Sequence, residues 1–396
     1  MTDTLLRGPA LVVDDTLGRP DSTMGPVVAQ FTRAHIPVLE MQFLPELEQV
    51  KHWGGFSAIV LDWDLSGTEV GALGIEVGAE LRAARQAETI SVIRKILEDL
   101  YCPIFIVSDQ DESDIRSSLE TDLADLPAHH NRVLVRSKSS AEHDFLATLN
   151  DWLRAHPAVY ALKAWELHYE SAKTRLFADF ESSSTQWPRI LWQASSDDSV
   201  NQHFELAETL SRNLLHRMDR VLFDSAVMSL GDGAPEASAL HRVMHDQAVI
   251  DASRLHSDVL RPGDFFFETD GDNLPGTIDI SVTADCDLVP REDQPIEDVR
   301  IRLVSARLHQ RPTGREDKIK DFLKRDRTTG VMLHHLNPIG QPYEVIFSTH
   351  REERWGAIAD LRRGRLLAPY VTNLQQRFAL YLLRPGLPVI PPAFYL

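Results

Sequence analysis

The sequence predicts an α/β protein in three parts: a parallel α/β sheet over residues 1–155, a helical connector over 156–260 and a β-rich domain over 261–396. Three observations predict it. Short apolar runs alternate with helix-period segments up to residue 155, which is the pattern of a parallel sheet with crossover helices. From 158 to about 258 apolar residues recur at helical spacing. From Arg261 onward, alternating segments are punctuated by Gly, Pro and Asp, the pattern of a small barrel or curled sheet.

Taken in order, the strands of the first part are expected near 10–14, 36–43, 58–62, 103–108 and 132–136. The segment from Gly67 to Leu100 reads as one extended helix or two, with Val92, Ile93, Ile96 and Leu97 on one face. The last helix, Ala141 to Ala155, carries Phe145, Leu146, Leu149 and Leu153 and stops before Pro157. In the connector, helices are expected over Ala158–Phe180, Val200–Leu230 and Glu236–Val259. The C-terminal strands are expected at Phe265–Phe267, Ile278–Thr283, Val299–Leu308, Val331–Leu336 and Tyr343–Ser348, with a helix near 370–383.

Composition bounds the function. The chain has 396 residues, 43% of them hydrophobic and 25% charged, which is ordinary for a globular protein with real cores. No apolar run reaches the ~20 residues of a membrane span, and Met1-Thr2-Asp3-Thr4 lacks the basic-then-apolar start of a signal peptide. Two distant cysteines, Cys102 and Cys286, fit a reducing, cytoplasmic setting. The net charge of −18 argues against a nucleic-acid coat. It is unevenly spread: residues 300–396 hold 17 Lys+Arg against 8 Asp+Glu, and residues 1–299 hold 24 against 51. The basic residues are scattered and not interleaved with stacking aromatics, so a nucleic-acid partner is not expected.

The chemistry lies at the strand ends. Leu11-Val12-Val13 runs into Asp14-Asp15, Ala58-Ile59-Val60-Leu61 into Asp62, and Pro103-Ile104-Phe105-Ile106-Val107 into Ser108; Val133-Leu134-Val135 is followed by Lys138. The carboxyl ends of parallel strands share one edge of the sheet, and ligands bind there. The five side chains are thus placed to converge. Together they suit a phosphorylated aspartate: a divalent cation takes carboxylates, waters and a phosphoryl oxygen, and a lysine offsets charge on transferred phosphoryl oxygens.

This set resembles that of response-regulator receiver domains, over roughly residues 8–155, and implies a receiver-like (flavodoxin-like) sheet. The resemblance implies that Asp62 is the phosphoacceptor, helped by Ser108 and Lys138. It further implies that Asp14, Asp15, Asp62 and the Asp64 backbone carbonyl hold Mg2+. Asp64 and Gln110, two residues beyond the acceptor and the hydroxyl, are expected to flank the path of the hydrolytic water. The chain departs from the pattern at Ser139, where receivers carry proline, and at Val135, where they carry the switch aromatic.

Two further readings compete. Asp62-Trp63-Asp64-Leu65-Ser66 resembles the nucleophile motif of haloacid-dehalogenase phosphatases, but their metal-binding acids follow the lysine, and here Asp14-Asp15 come first. A degenerate receiver acting only as an interaction module is the third reading, opposed by retention of all five polar residues. Whole-chain architecture resembles the accessory receiver of Detocs-type anti-phage systems. That implies a phosphorelay protein, not an enzyme beyond its own phosphorylation and dephosphorylation, with a sensor histidine kinase or phosphohistidine donor and a second receiver-bearing effector as partners.

One C-terminal motif stands apart. Asp285 and Asp287 flank Cys286 at the end of an expected strand. Without an evident histidine base the sequence reading is a buried small thiol between turn-forming acids. His241 and His245 have the i, i+4 spacing of metal ligands, but no His-Glu-x-x-His pattern surrounds them, so solvent-facing or capping roles are expected.

Overall fold

The computed structural model describes residues 5–20, 22–65, 79–126, 129–198, 200–231, 234–268, 274–290, 294–310 and 330–383. The chain divides into two compact units, Met1–Asp179 with Asn213–Asp232, and Phe180–Arg212 with Gly233–Leu396.

The first unit is built on five parallel strands, β1 (Ala10–Val13), β2 (Val38–Met41), β3 (Ala58–Asp62), β4 (Ile104–Ser108) and β5 (Val133–Ser137), in the order β2-β1-β3-β4-β5. All five lie where the apolar runs place them, and the sheet is compatible with a receiver-like fold. The longer helices packed on it are α1 (Gly25–Arg33), α2 (Ala79–Asp99), α3 (Glu112–Asp122) and α4 (Lys138–Ala155). The expectation for 67–78 falls outside the described residues.

The central strands are apolar throughout because both faces are covered. Successive side chains point to opposite faces. Ala10, Val12, Val60, Phe105 and Val107 cluster with Val27 and Phe31 of α1 and Phe145, Leu149 and Leu153 of α4. Leu11, Val13, Ile59, Leu61, Ile104 and Ile106 cluster with Ile93, Ile96 and Leu97 of α2 and Ile115 and Leu119 of α3.

Helix α4 begins three residues earlier than expected, because Ser137 caps it by accepting from the Ser140 N–H at 3.4 Å. Starting there puts Lys138 in the first turn, directly after β5. The helix kinks at Asp144, whose φ and ψ are −132° and 39°. The buried Gln30 of α1 bridges the kink. Its amide donates to the Ala141 carbonyl at 3.1 Å and accepts from the Leu146 N–H at 3.3 Å. Helix α5 (Pro157–Ser183) follows.

The second unit contains helix α6 (Trp187–Asp197) and an antiparallel sheet of seven strands. These are β6 (Val249–Asp251), β7 (Asp264–Phe266), β8 (Thr277–Ser281), β9 (Arg300–Leu308), β10 (Gly330–Leu333), β11 (Tyr343–Arg354) and β12 (Arg362–Leu366). The order is β10-β11-β9-β8-β7-β12-β6, a curled sheet with β10 and β6 at its ends. One face packs on helix α9 (Tyr370–Leu383) through Val371, Leu374 and Phe378. Gly263 allows β7 to start against β12: its φ is +86°, and a Cβ there would lie 2.1 Å from the Leu366 carbonyl oxygen.

Two helical expectations are corrected. The helix expected over Val200–Leu230 is α7 (Gln202–Arg217) and stops at Arg217. There Arg175 takes both the Arg217 carbonyl, at 3.1 Å, and the Asp219 carboxylate, at 2.7 Å, which turns the chain away from helix. The helix expected over Glu236–Val259 is α8 (Ala237–Ala248). It ends because Val249, Ile250 and Asp251 pair with Leu366, Arg365 and Gly364 of β12.

Candidate functional site: a buried acidic cluster at the carboxyl edge of the parallel sheet

The ends of β1, β3 and β4 and the start of α4 bring the sequence-predicted residues together. Asp14, Asp15, Asp62, Ser108 and Lys138 are all buried, with Asp14 and Ser108 at 0% and Asp62 at 1% exposure. Single oxygens of Asp14, Asp15 and Asp62 lie within 4.8 Å of one another. The Lys138 ammonium donates to Asp62 Oδ2 at 2.9 Å and lies 3.7 Å from Asp14 Oδ2. The other Asp62 oxygen, Oδ1, accepts from the Asp64 N–H at 3.1 Å. Asp14 Oδ1 accepts from the Thr16 N–H at 2.7 Å and from its hydroxyl. Asp14 Oδ2 is buried with no hydrogen-bond partner.

A second layer lies beside it. Asp64 enters the site through its carboxylate as well as its N–H. The Ser108 hydroxyl donates to Asp64 Oδ2 at 3.3 Å, the Gln110 amide donates to Asp64 Oδ1 at 2.6 Å, and the Gln110 N–H donates to Ser108 Oγ at 3.0 Å. The two residues singled out as flanking a water path are therefore in direct contact. The role of the Asp64 carbonyl remains an implication of the resemblance. Trp63 is buried in the cluster on the α2–α3 face, and its N–H donates to the Val107 carbonyl at 3.2 Å. Sequence reasoning missed Asp109, whose carboxylate is 3.8 Å from the Lys138 ammonium, and Thr16, which orients Asp14. Their positions next to Ser108 and Asp15 were the available signal.

Charge is unbalanced here. Burial pushes the Asp62 carboxyl up to about 7, against the pull of the Lys138 charge and hydrogen bond, and the neighbouring Asp14 adds to the rise. Burial pulls the Lys138 ammonium down, but Asp62, Asp14 and Asp109 outweigh it and hold it above its ordinary value. The lysine is thus firmly charged, and Asp62 is the group whose charge is unsettled. Asp14 and Asp62 share the one ammonium of Lys138, so negative charge is in excess there and a divalent cation would offset it. The donors are all carboxylate oxygens, which suits a hard cation such as Mg2+ rather than a thiolate or imidazole metal. Asp14 Oδ2 accepts no hydrogen bond and faces the Lys138 ammonium only at 3.7 Å, so it can serve such an ion as a ligand. The residues present therefore fit the group.

The other motifs fare differently. Cys286 lies in a single helical turn, Asp285–Leu288, and is exposed, which corrects the expectation of a buried thiol. Asp285 pairs with Arg261 at 3.2 Å, and the Cys286 thiol donates to Asp287 Oδ1 at 3.6 Å. His245 is held by its Nδ1 at 2.8 Å from the His335 carbonyl, a packing role. Among the described residues the one cluster of three or more acids, histidines or cysteines with metal-site spacing is Asp14, Asp15 and Asp62. No helix among them is long and apolar enough to cross a membrane.

Set against protein-family models, curated proteins and solved structures, the chain matches none.

Proposed function

We propose that the first unit is a receiver-like phosphoacceptor: Asp62 takes a phosphoryl group from a phosphohistidine donor with the help of a divalent cation, Mg2+ in the cell. The observation that carries this reading is the meeting of three buried carboxylates, a lysine and a hydroxyl at one sheet edge, with Asp14 Oδ2 left without a hydrogen bond. A cluster kept only for structure would not leave excess charge buried.

Each residue then has a task. Asp62 is the nucleophile; the new bond joins its carboxylate oxygen to phosphorus, the P–N bond of the donor breaks, and the imidazole keeps that electron pair. Lys138 holds Asp62 Oδ2 and stays charged to face the arriving phosphoryl oxygens. Asp14 and Asp15, with Asp62, would hold the cation, which when bound offsets negative charge on the carboxylates and the phosphoryl group. Ser108 is positioned to turn from Asp64 to a phosphoryl oxygen. Asp64 and Gln110 are polar and can orient water, so the acyl phosphate is not expected to be unusually long-lived.

A group that is accepted and then lost suits a drain or buffer more than a latch, and Val135 in place of a switch aromatic agrees. The proposed role is a regulator or phosphate sink in a prokaryotic anti-phage phosphorelay of the Detocs type, cytoplasmic, with a sensor histidine kinase upstream and a second receiver-bearing effector alongside. Expression of Asp62→Ala in place of the wild-type chain in its host cell tests the sink. Excess downstream activity supports it; cells that are merely inactive point to a conventional output role. Mg2+ titration followed by tryptophan fluorescence tests the ion, because Trp63 adjoins Asp62; a flat response in both fluorescence and calorimetry removes it.

A further inference from the structure

The opposite, amino edge of the parallel sheet carries a second feature that phosphoryl chemistry does not use. The segments entering β1, β3 and β4 and one face of α5 surround a cavity of about 830 Å3, within the size range of small-molecule sites. Aromatic rings line it from three directions: Trp53 and Phe56 before β3, Tyr101 before β4, and Trp165 with Tyr169 on α5. Tyr101 is 50% exposed and Trp165 39%, so ring surface is open to a guest. Trp165 and Tyr169 are stacked on each other at 4.9 Å, which holds the Trp165 ring in place. Gly54 and Gly55, between Trp53 and Phe56, keep side chains out of that wall. Rings presented from several sides favour a flat aromatic guest, through offset-stacked or edge-to-face contact.

The lysines and glutamates of the wall are already matched. Lys163, buried, donates to Glu166 Oε2 at 2.9 Å, Lys173 pairs with Glu170 at 2.5 Å, and Arg7 has a partner of its own. A charged guest would give up water for a wall with no unmatched lysine or glutamate, which is costly. A neutral guest avoids that cost. One acceptor remains. The Glu166 side chain is 38% exposed, and Lys163 takes only its Oε2. Oε1 can accept an N–H from the guest while the lysine pair stays intact.

We propose that this cavity binds a neutral, planar nitrogen heteroaromatic, stacked on Trp165 and donating a ring N–H to Glu166 Oε1. The site is independent of the acidic cluster at the other edge of the same sheet.

Calorimetric titration of the full chain tests it, with probes that share one ring system: indole-3-acetamide, its 1-methyl derivative, indole-3-acetate and tryptamine. The amide should bind. The 1-methyl derivative, which has no ring N–H, should bind about tenfold more weakly, a comparison made on the unaltered protein with the Lys163–Glu166 pair in place. Trp165→Leu, at a partly exposed side chain, should weaken the amide about fivefold with an unchanged urea midpoint, and Trp165→Tyr, which keeps a ring there, should retain most of the affinity. Asp62→Asn should leave binding intact, which separates this site from the phosphoacceptor reading. No heat from the amide at millimolar concentration, equal affinity for the 1-methyl derivative, preference for tryptamine or indole-3-acetate, loss of binding in Asp62→Asn, or indifference to Trp165→Leu would each overturn the proposal.

Discussion

Both units bury a carboxylate among cations, and the two clusters are balanced in opposite directions. In the second unit Asp264, 1% exposed, faces two arginines. Its Oδ1 accepts from Arg362 at 3.2 Å and Arg365 at 2.6 Å, and its Oδ2 from Arg365 at 3.3 Å and the Arg261 N–H at 3.3 Å. Other N–H groups of the arginines go to the His256 and Val259 carbonyls, while Arg362 Nε is buried without a hydrogen bond. Every carboxylate oxygen is used, and the cations outnumber the acid. This is a staple that fastens the 256–264 loop to β12. In the first unit the acids outnumber the cation, and an oxygen is left over. The comparison teaches that burial of charge does not mark a site; carboxylates in excess of their cation, with an acceptor oxygen unused, do.

The largest expected effect breaks the staple. Asp264→Ala leaves Arg362 and Arg365 buried without a counter-charge and should cost the second unit about 3–5 kcal/mol in urea denaturation. An unchanged midpoint would mean that the arginines are solvated after all.

The acidic cluster should respond to pH with a definite sign. The folded-state carboxyl of Asp62, raised to about 7 from 3.8, binds its proton more tightly than the unfolded chain does. That contribution is fully present below the unfolded value and is lost as pH rises through about 7. In metal-free buffer, wild type should therefore lose stability relative to Asp62→Asn between about pH 4 and pH 7, by at most about 4 kcal/mol. Parallel stability curves for the two proteins would contradict the charge imbalance.

Removing an acid from this side should do the reverse of removing Asp264. Asp14→Asn relieves repulsion, so in chelator the protein should be as stable as wild type or more stable by ~1 kcal/mol, while the stabilisation produced by Mg2+ disappears. Thermal unfolding with and without the ion reads both effects. A strong loss in chelator would make Asp14 a structural residue like Asp264.

The smallest effect concerns the second layer. Gln110→Ala removes the 2.6 Å contact to Asp64 and should change the Asp62 phosphoryl lifetime a few-fold without changing the labelled residue. An unaltered lifetime would leave that contact a packing feature only.

What the sequence revealed follows the same physical line. Strands β1, β3, β4 and β5 were legible because a parallel sheet covered on both faces needs unbroken apolar runs, and the acids, serine and lysine follow those runs directly. Strands β6 and β12 were not legible. Arg362-Arg363-Gly364-Arg365-Leu366 is almost wholly cationic, and it forms a strand because Asp264 and nearby carbonyls receive its arginines, a contact about 100 residues away in sequence. Val249–Asp251 continues a helical pattern and becomes strand because β12 pairs with it. The second half of β11, Thr349–Arg354, is polar and pairs with β9 past an irregularity between Ile346 and Arg351. In the site, the identities were readable, but the Asp64–Gln110 contact and the missing hydrogen bond at Asp14 Oδ2 depend on side-chain directions that no spacing encodes.

Phosphorylation of Asp62 tests the central claim most directly. The full chain is treated with a small phosphodonor and Mg2+, wild type beside Asp62→Asn, and the peptide spanning β3 is read by mass spectrometry with and without chelator. The account predicts label on Asp62 in wild type that requires Mg2+ and is absent from Asp62→Asn. Equal labelling of the two proteins, or no label on wild type with Mg2+ present, would contradict it.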